Sequence, residues 1–178
     1  MSSNTKRLLK RSFYELLETK PVKHITVNDI VDRCSLNRNT FYYHYRDIPS
    51  LIEESINEAT EKIISKRYAF DSLEDMMNVA IDFIMDHKRA ITNMHNSSDR
   101  VLYEKYLLRI AKHAACEYVS SSPMAGFLDD DEKAIETDAI ACFCFGYIIN
   151  WLDSGMKADI KNDLHCYLKI RHKLNGSI

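Results

Sequence analysis

Ten consecutive residues, Asn37-Arg38-Asn39-Thr40-Phe41-Tyr42-Tyr43-His44-Tyr45-Arg46, concentrate two amides, several hydroxyls, an imidazole and two guanidinium groups. These groups bond phosphate oxygens and base edges, so the chemistry on offer is recognition. On a helix turning about 100° per residue, Phe41 and Tyr45 project within roughly 40° of each other. They must pack inward with Leu36, which leaves Asn39 and Tyr43 on the opposite side, flanked by Arg38, Thr40, Tyr42 and Arg46.

Other reactive side chains are scattered. His113 with Cys116, and His165 beside Cys166, lack a third ligand at recognisable spacing, so no metal site is expected. No Ser/His/Asp or Cys/His constellation is suggested locally. Gly126, Gly146, Gly155 and Gly176 stand too far apart for a phosphate-cradling loop. A protein without enzymatic activity or cofactor is expected, since an active site would have to be assembled from residues distant in sequence.

Charge divides the chain. Residues 1–48 carry nine Lys/Arg against five Asp/Glu, whereas the remainder carries 15 against 21. A small basic module facing a polyanion and a larger acidic body fit that division. With 178 residues, 46% hydrophobic and 28% charged, the chain is neither disordered nor collagenous. The basic N-terminus leads into an amphipathic pattern, unlike a secretory signal. The longest apolar run, Ala139 to Leu152, is interrupted by Asn150 and falls short of the roughly 20 residues that span a bilayer. A cytoplasmic protein with no membrane partner is expected, its five cysteines free and mostly buried in helices.

Few glycines and only three prolines point to an all-α fold of about nine helices. Leu9, Phe13, Leu16 and Leu17 recur at helical spacing over about Thr5 to Thr19. Thr26 and Asp29 form a capping box that opens a short second helix ending near Cys34. Asn37 then caps a third helix over about Arg38 to Arg46, and two short helices joined by three residues make a helix-turn-helix. Asp47-Ile48-Pro49 starts a long fourth helix to about Arg67. Further helices are expected over about Ser72–His87, Ala90–His95, Asp99–Val119, Asp130–Asp153 and Asp159–Leu174.

The segment Ile25 to Leu51, through Ile25-Thr26-Val27, Ile30, the run from Asn37 to Tyr45, and Leu51, resembles the DNA-binding domain of TetR-family transcriptional regulators. The resemblance covers about 60 residues and implies a three-helix DNA reader (residues 1–48) followed by a larger helical domain for ligand binding and dimerisation (49–178). It places Thr26 near a phosphate, Arg38, Asn39, Thr40 and Tyr43 in the major groove, Tyr42 and His44 on the DNA backbone, and Phe41 in the core. Asn37 and Arg46 bound the reading segment. Ser35 departs from the family's turn glycine, and Ile48 from a lysine that meets phosphate, a role that Arg46 can take.

The resemblance also implies a homodimer on a palindromic operator, acting as a repressor released by an effector. Candidates for the dimer interface are Phe143, Tyr147, Trp151, Leu164, Tyr167, Leu168 and Arg171, with Trp151 as a buried anchor. Candidates for a small, partly apolar ligand are Met76, Phe83, Met94, Tyr103, Tyr106 and His113. The segment Gly146 to Leu152 is similar to regulators of dihydroxyacetone kinase operons. That similarity implies an alternative, a co-regulator controlled by a kinase-like protein partner.

Overall fold

The computed structural model describes residues 2–175, and among these it contains nine α-helices and no strand. They are α1 (Ser2–Leu17), α2 (Val27–Arg33), α3 (Arg38–His44), α4 (Ile48–Ile64), α5 (Leu73–Asp86), α6 (Lys88–His95), α7 (Arg100–Ser121), α8 (Asp130–Asp153) and α9 (Ile160–Asn175). Two 3-10 turns, Val22–His24 and Pro123–Phe127, stand where the sequence reading places connections.

The chain forms two compact units. One comprises Met1–Ile63 with His87–Tyr106, and its fully buried centre is Leu9, Phe13, Ile30, Phe41, Leu51 and Ile52. Within it α6 lies on α1, where Asn93 Nδ2 donates to the carbonyl of Leu17 at 2.8 Å. The other comprises Ile64–Asp86 with Leu107–Ile178, built around Met77, Ile81, Ala115, Ala141 and Leu164. There α9 is tied to α5 by Lys161–Asp82 at 2.6 Å and His165–Glu74 at 3.0 Å.

Helix ends follow their caps. The α4 start is set by Asp47, whose Oδ1 accepts from Ser50 N at 2.9 Å, and Pro49 occupies the first turn where no donor is needed. That helix stops at Ile64, short of the expected Arg67, because α7 side chains take the backbone groups that follow. Glu117 accepts from Tyr68 N at 3.3 Å and the His113 ring bonds the Lys66 carbonyl at 3.0 Å. Asp129 and Glu132 cap α8 reciprocally.

Two expectations change. Cys144 is buried and Cys34 half-buried, but Cys116, Cys142 and Cys166 are exposed because their helix faces turn away from the core; all five thiols are free. The apolar run within α8 is extended by its flanking helical residues, so that by length and composition this one described helix could cross a membrane. It carries Glu136 and Asp138 within that length, and Asp138 is paired with Lys112 at 2.8 Å.

Candidate nucleic-acid interface

The turn before α3 is a Schellman motif. Leu36 N bonds the Val31 carbonyl at 2.9 Å and Ser35 N bonds that of Asp32 at 3.3 Å, with Ser35 at φ +54°. A glycine would take this left-handed conformation without strain; Ser35 holds it against a cost of about 1–2 kcal/mol. Asn37 then caps α3, its Oδ1 accepting from Thr40 N at 2.8 Å and from the Thr40 hydroxyl at 3.1 Å. Thus both Asn37 and Thr40 have work inside the helix besides any they do on DNA.

The two faces of α3 separate as expected. Phe41 is fully buried and Tyr45 nearly so, with their rings 5.8 Å apart, whereas Tyr43 is 82% exposed and Asn39, Arg38, Tyr42 and Arg46 are exposed beside it. Thr40 and His44 are half-buried. Arg38 leans on Tyr42, its guanidinium carbon 5.9 Å from the ring centroid, and the Tyr43 and His44 rings meet edge-on at 4.9 Å. Arg46 pairs with Asp47 at 2.9 Å.

Thr26 is exposed, but its hydroxyl both accepts from Asp29 N and donates to Asp29 Oδ2 at 2.7 Å. Lys20 reaches the same carboxylate at 2.8 Å. Hydrogen bonds from Lys20 and then from Thr26 hold the Asp29 carboxyl down at about 2. A phosphate at this helix start would therefore compete with Asp29. The 3-10 turn adds two exposed bases just ahead, Lys23 and His24. Sequence periodicity passed them over because a single 3-10 turn is too short to show any.

The basic count overstates the free positive charge. Of the nine Lys/Arg in residues 1–48, at least six are ion-paired: Lys6, Lys10, Arg11, Lys20, Arg33 and Arg46. Lys6 and Lys10 both hold Glu54 at 2.8 Å, and Lys10 also meets Glu58. Partial burial would raise the Glu54 carboxyl, but hydrogen bonds from Lys10 and Lys6 prevail and bring it to about 2.

In the second unit a cavity of about 100 Å³ is lined by Met76, Ile84, Leu107, Ala111, Ala114 and Cys144 among others. Met76 lines it, as does its neighbour Met77; the other ligand candidates do not. Phe83 is exposed, and His113 bonds the Lys66 carbonyl and packs edge-on against Tyr68. Met94, Tyr103 and Tyr106 belong to the first unit; Met94 and Tyr103 are buried there, the Tyr103 hydroxyl without a hydrogen-bond partner among the described residues. The alanines lining the cavity, Ala111 and Ala114, carry no chemistry that marks them in the sequence.

The dimer candidates divide similarly. Phe143 stacks on Tyr167 at 5.2 Å and lies 5.5 Å from Tyr147, with Tyr167, Ile170 and Leu174 left exposed nearby along α9. Arg171 is exposed. Leu168 lines an open groove of about 370 Å³ with Glu74, His165 and Lys169. Trp151 and Leu164, in contrast, are buried within a single chain; Trp151 Nε1 donates to the Ala158 carbonyl at 3.2 Å.

A family model described as a transcriptional regulator C-terminal region, of the TetR type, matches residues 71–164, more than half of the chain. The chain is 21% identical over 167 residues to an uncharacterised HTH-type transcriptional regulator, YxbF of Bacillus subtilis (strain 168). That match covers 89% of this chain but 42% of the relative, so the chain spans less than half of that protein's length. Among solved structures, NalD of Pseudomonas aeruginosa, the secondary repressor of the MexAB-OprM multidrug efflux pump, has a TM-score of 0.58 at 16% identity, with 97% of each chain covered. DhaS, a dihydroxyacetone kinase operon activator, has a TM-score of 0.60 at 15% identity, covering 93% of this chain and 97% of its own. At such identities both speak for the fold, and a repressor and an activator share it. By its C-terminal match, with the helix-turn-helix ahead of it, the chain belongs to the TetR family of transcriptional regulators.

Proposed function

We propose that the protein is a cytoplasmic homodimeric repressor that binds a palindromic operator through α3 and is released when its larger helical domain engages an effector. The observation that carries this reading is the split of α3. Tyr43 and Asn39 stand out in solvent while Phe41, on the other side of the same two turns, is completely buried. A helix with so exposed a tyrosine above so firm an anchor is built to present that face to something outside the chain.

Residues 1–48 act as the reader and 49–178 as the effector and dimerisation domain, although the compact unit that holds the reader also takes in residues 49–63 and 87–106. Asn39, Arg38 and Tyr43 read base edges, with Thr40 beside them; Tyr42, His44, Arg46 and Thr26 contact phosphates. One small module makes too few contacts for operator-level affinity, so two readers are needed, spaced about 34–36 Å apart on one face of the duplex. The Phe143, Tyr147 and Tyr167 cluster supplies an apolar surface on α8 and α9 for pairing two chains.

The cavity of about 100 Å³ is below the roughly 300–1,000 Å³ of small-molecule pockets, so an effector there must enlarge it. A chain that populates an opened form poorly for DNA is released by any ligand preferring that form. Coupling of about 1–3 kcal/mol would change operator affinity roughly 5- to 150-fold. The test is selection of bound fragments from a random duplex pool. The selected sequences should converge on a two-fold symmetric site whose halves lie one helical turn, or a multiple, apart. Convergence on an asymmetric single site, or on none, contradicts the reading.

A further inference from the structure

The recognition helix has a polar anchor besides its apolar one. Tyr45 follows α3 with extended backbone, at φ −136° and ψ 134°, and only 3% of it is exposed. Its hydroxyl donates to Glu54 Oε1 at 3.3 Å, nearly two turns into α4. Glu54 also accepts from Lys10 on the same oxygen and from Lys6 on the other, both at 2.8 Å. Lys6 closes the figure, its ammonium lying 5.4 Å from the centre of the Tyr45 ring. Nearby, Tyr14 of α1 donates to the Ser55 carbonyl at 2.9 Å, so α1 and α4 are tied a second time.

We propose that Glu54 is a positioning residue for DNA reading: its carboxylate ties the end of α3 to α1 and α4 through Tyr45, Lys6 and Lys10, and so fixes the angle at which α3 meets the major groove. The assignment rests on the reading of α3 as the DNA-contacting helix. Seven residues are too few to hold a helix in place by their own hydrogen bonds. Phe41 supplies burial, which has no direction and lets a short helix pivot about the ring. A hydrogen bond to a carboxylate does have direction, and this carboxylate is itself held by two ammonium groups. The remaining pivot is therefore stopped at Tyr45, and a change in the pitch of α4 is passed to α3 through Glu54.

The positions explain why Tyr45 carries a hydroxyl that burial alone would not require. Phenylalanine would fill the same space and keep the Lys6 contact with the ring face, but it would leave the α3 end free to rotate. Base readout depends on that angle far more than phosphate contact does, because the donor and acceptor pattern in the groove is matched over short, directed bonds.

The test compares wild type with Tyr45→Phe, Glu54→Ala, Glu54→Gln and the Tyr45→Phe/Glu54→Ala double variant, by anisotropy titration on a duplex selected from the random pool and on its scrambled counterpart. Tyr45→Phe and Glu54→Ala should each lose about fivefold to tenfold on the selected duplex and less than about twofold on the scrambled one. The double variant should bind no worse than Glu54→Ala alone, because that substitution already removes the Tyr45 link. Glu54→Gln keeps an oxygen acceptor and should recover part of the loss. Losses that multiply, or that fall equally on both duplexes, overturn the assignment. Tyr45→Phe keeps the packing and serves as the deciding variant where Glu54→Ala fails to fold. If wild type binds neither duplex, the reading of α3 itself fails; if wild type binds and Tyr45→Phe discriminates as well as wild type, only the role of Glu54 does.

Discussion

At the scale of single residues, Ser35 shows that the turn before α3 is defined by its hydrogen bonds more than by its sequence. The two bonds of the Schellman motif form around a serine at φ +54°, and the same motif closes α8 around Gly155 at φ +76°. Ser35→Gly should raise stability by about 0.5–1 kcal/mol, since the relief of the left-handed strain is partly offset by the freer unfolded chain. Ser35→Val should lower it, because a β-branched side chain tolerates that conformation worst. Denaturant midpoints at unchanged slope would show both, and a Gly variant less stable than wild type would contradict this account of the turn. Contact residues divide by sequence dependence. Asn39→Ala should cost about 1–3 kcal/mol on the selected operator and little on other DNA, whereas Arg46→Ala should weaken all duplexes alike and reduce the salt slope by about one. Equal losses from both would mean the reading face is misassigned.

At the scale of elements, most of the helices were legible because their caps are local. Asn37, Asp47 and the Thr26–Asp29 pair mark where α3, α4 and α2 begin, and the side-chain bonds are present. Asn37→Ala should therefore destabilise the chain by about 0.5–2 kcal/mol in equilibrium unfolding. What was not legible depends on partners distant in sequence. The Lys6–Glu54 and Lys10–Glu54 pairs join α1 to α4 over more than forty positions, and the cavity is bordered by Ala111 and Ala114, residues with no chemistry to signal them. Periodicity finds that a side chain is inward but not what it meets, and so could not separate Trp151 and Leu164 from their apolar neighbours on α8 and α9. Trp151→Ala should cost about 3–5 kcal/mol of chain stability through the void it leaves. Tyr167→Ala, in contrast, should raise the dimer dissociation constant by about 30-fold, some 2 kcal/mol, with little change in the stability of the single chain. Sedimentation together with unfolding curves separates the two effects.

At the scale of the whole molecule, charge is arranged for holding helices together as much as for attracting DNA. Glu54 and Asp29 have carboxyls held down at about 2, and Glu15 and Glu58 are lowered by hydrogen bonds from Arg33 and Arg11 and from Lys10 and Lys62. Because these folded values lie below the unfolded ones, the stabilisation is complete above about pH 4.5 and is lost as pH falls toward 2. Thermal melts should show a steep loss across that window, and a flat profile there would mean the network contributes nothing. Recognition of DNA by the face carrying Asn39 and Tyr43 is tested most directly by titrating a selected duplex and its scrambled version with the purified protein between 50 and 200 mM salt. Two chains should bind each duplex, the selected sequence should be bound tighter by about 10³-fold or more, and affinity should fall linearly in log–log form with salt on both. Equal affinity for the two duplexes at every salt concentration would contradict it.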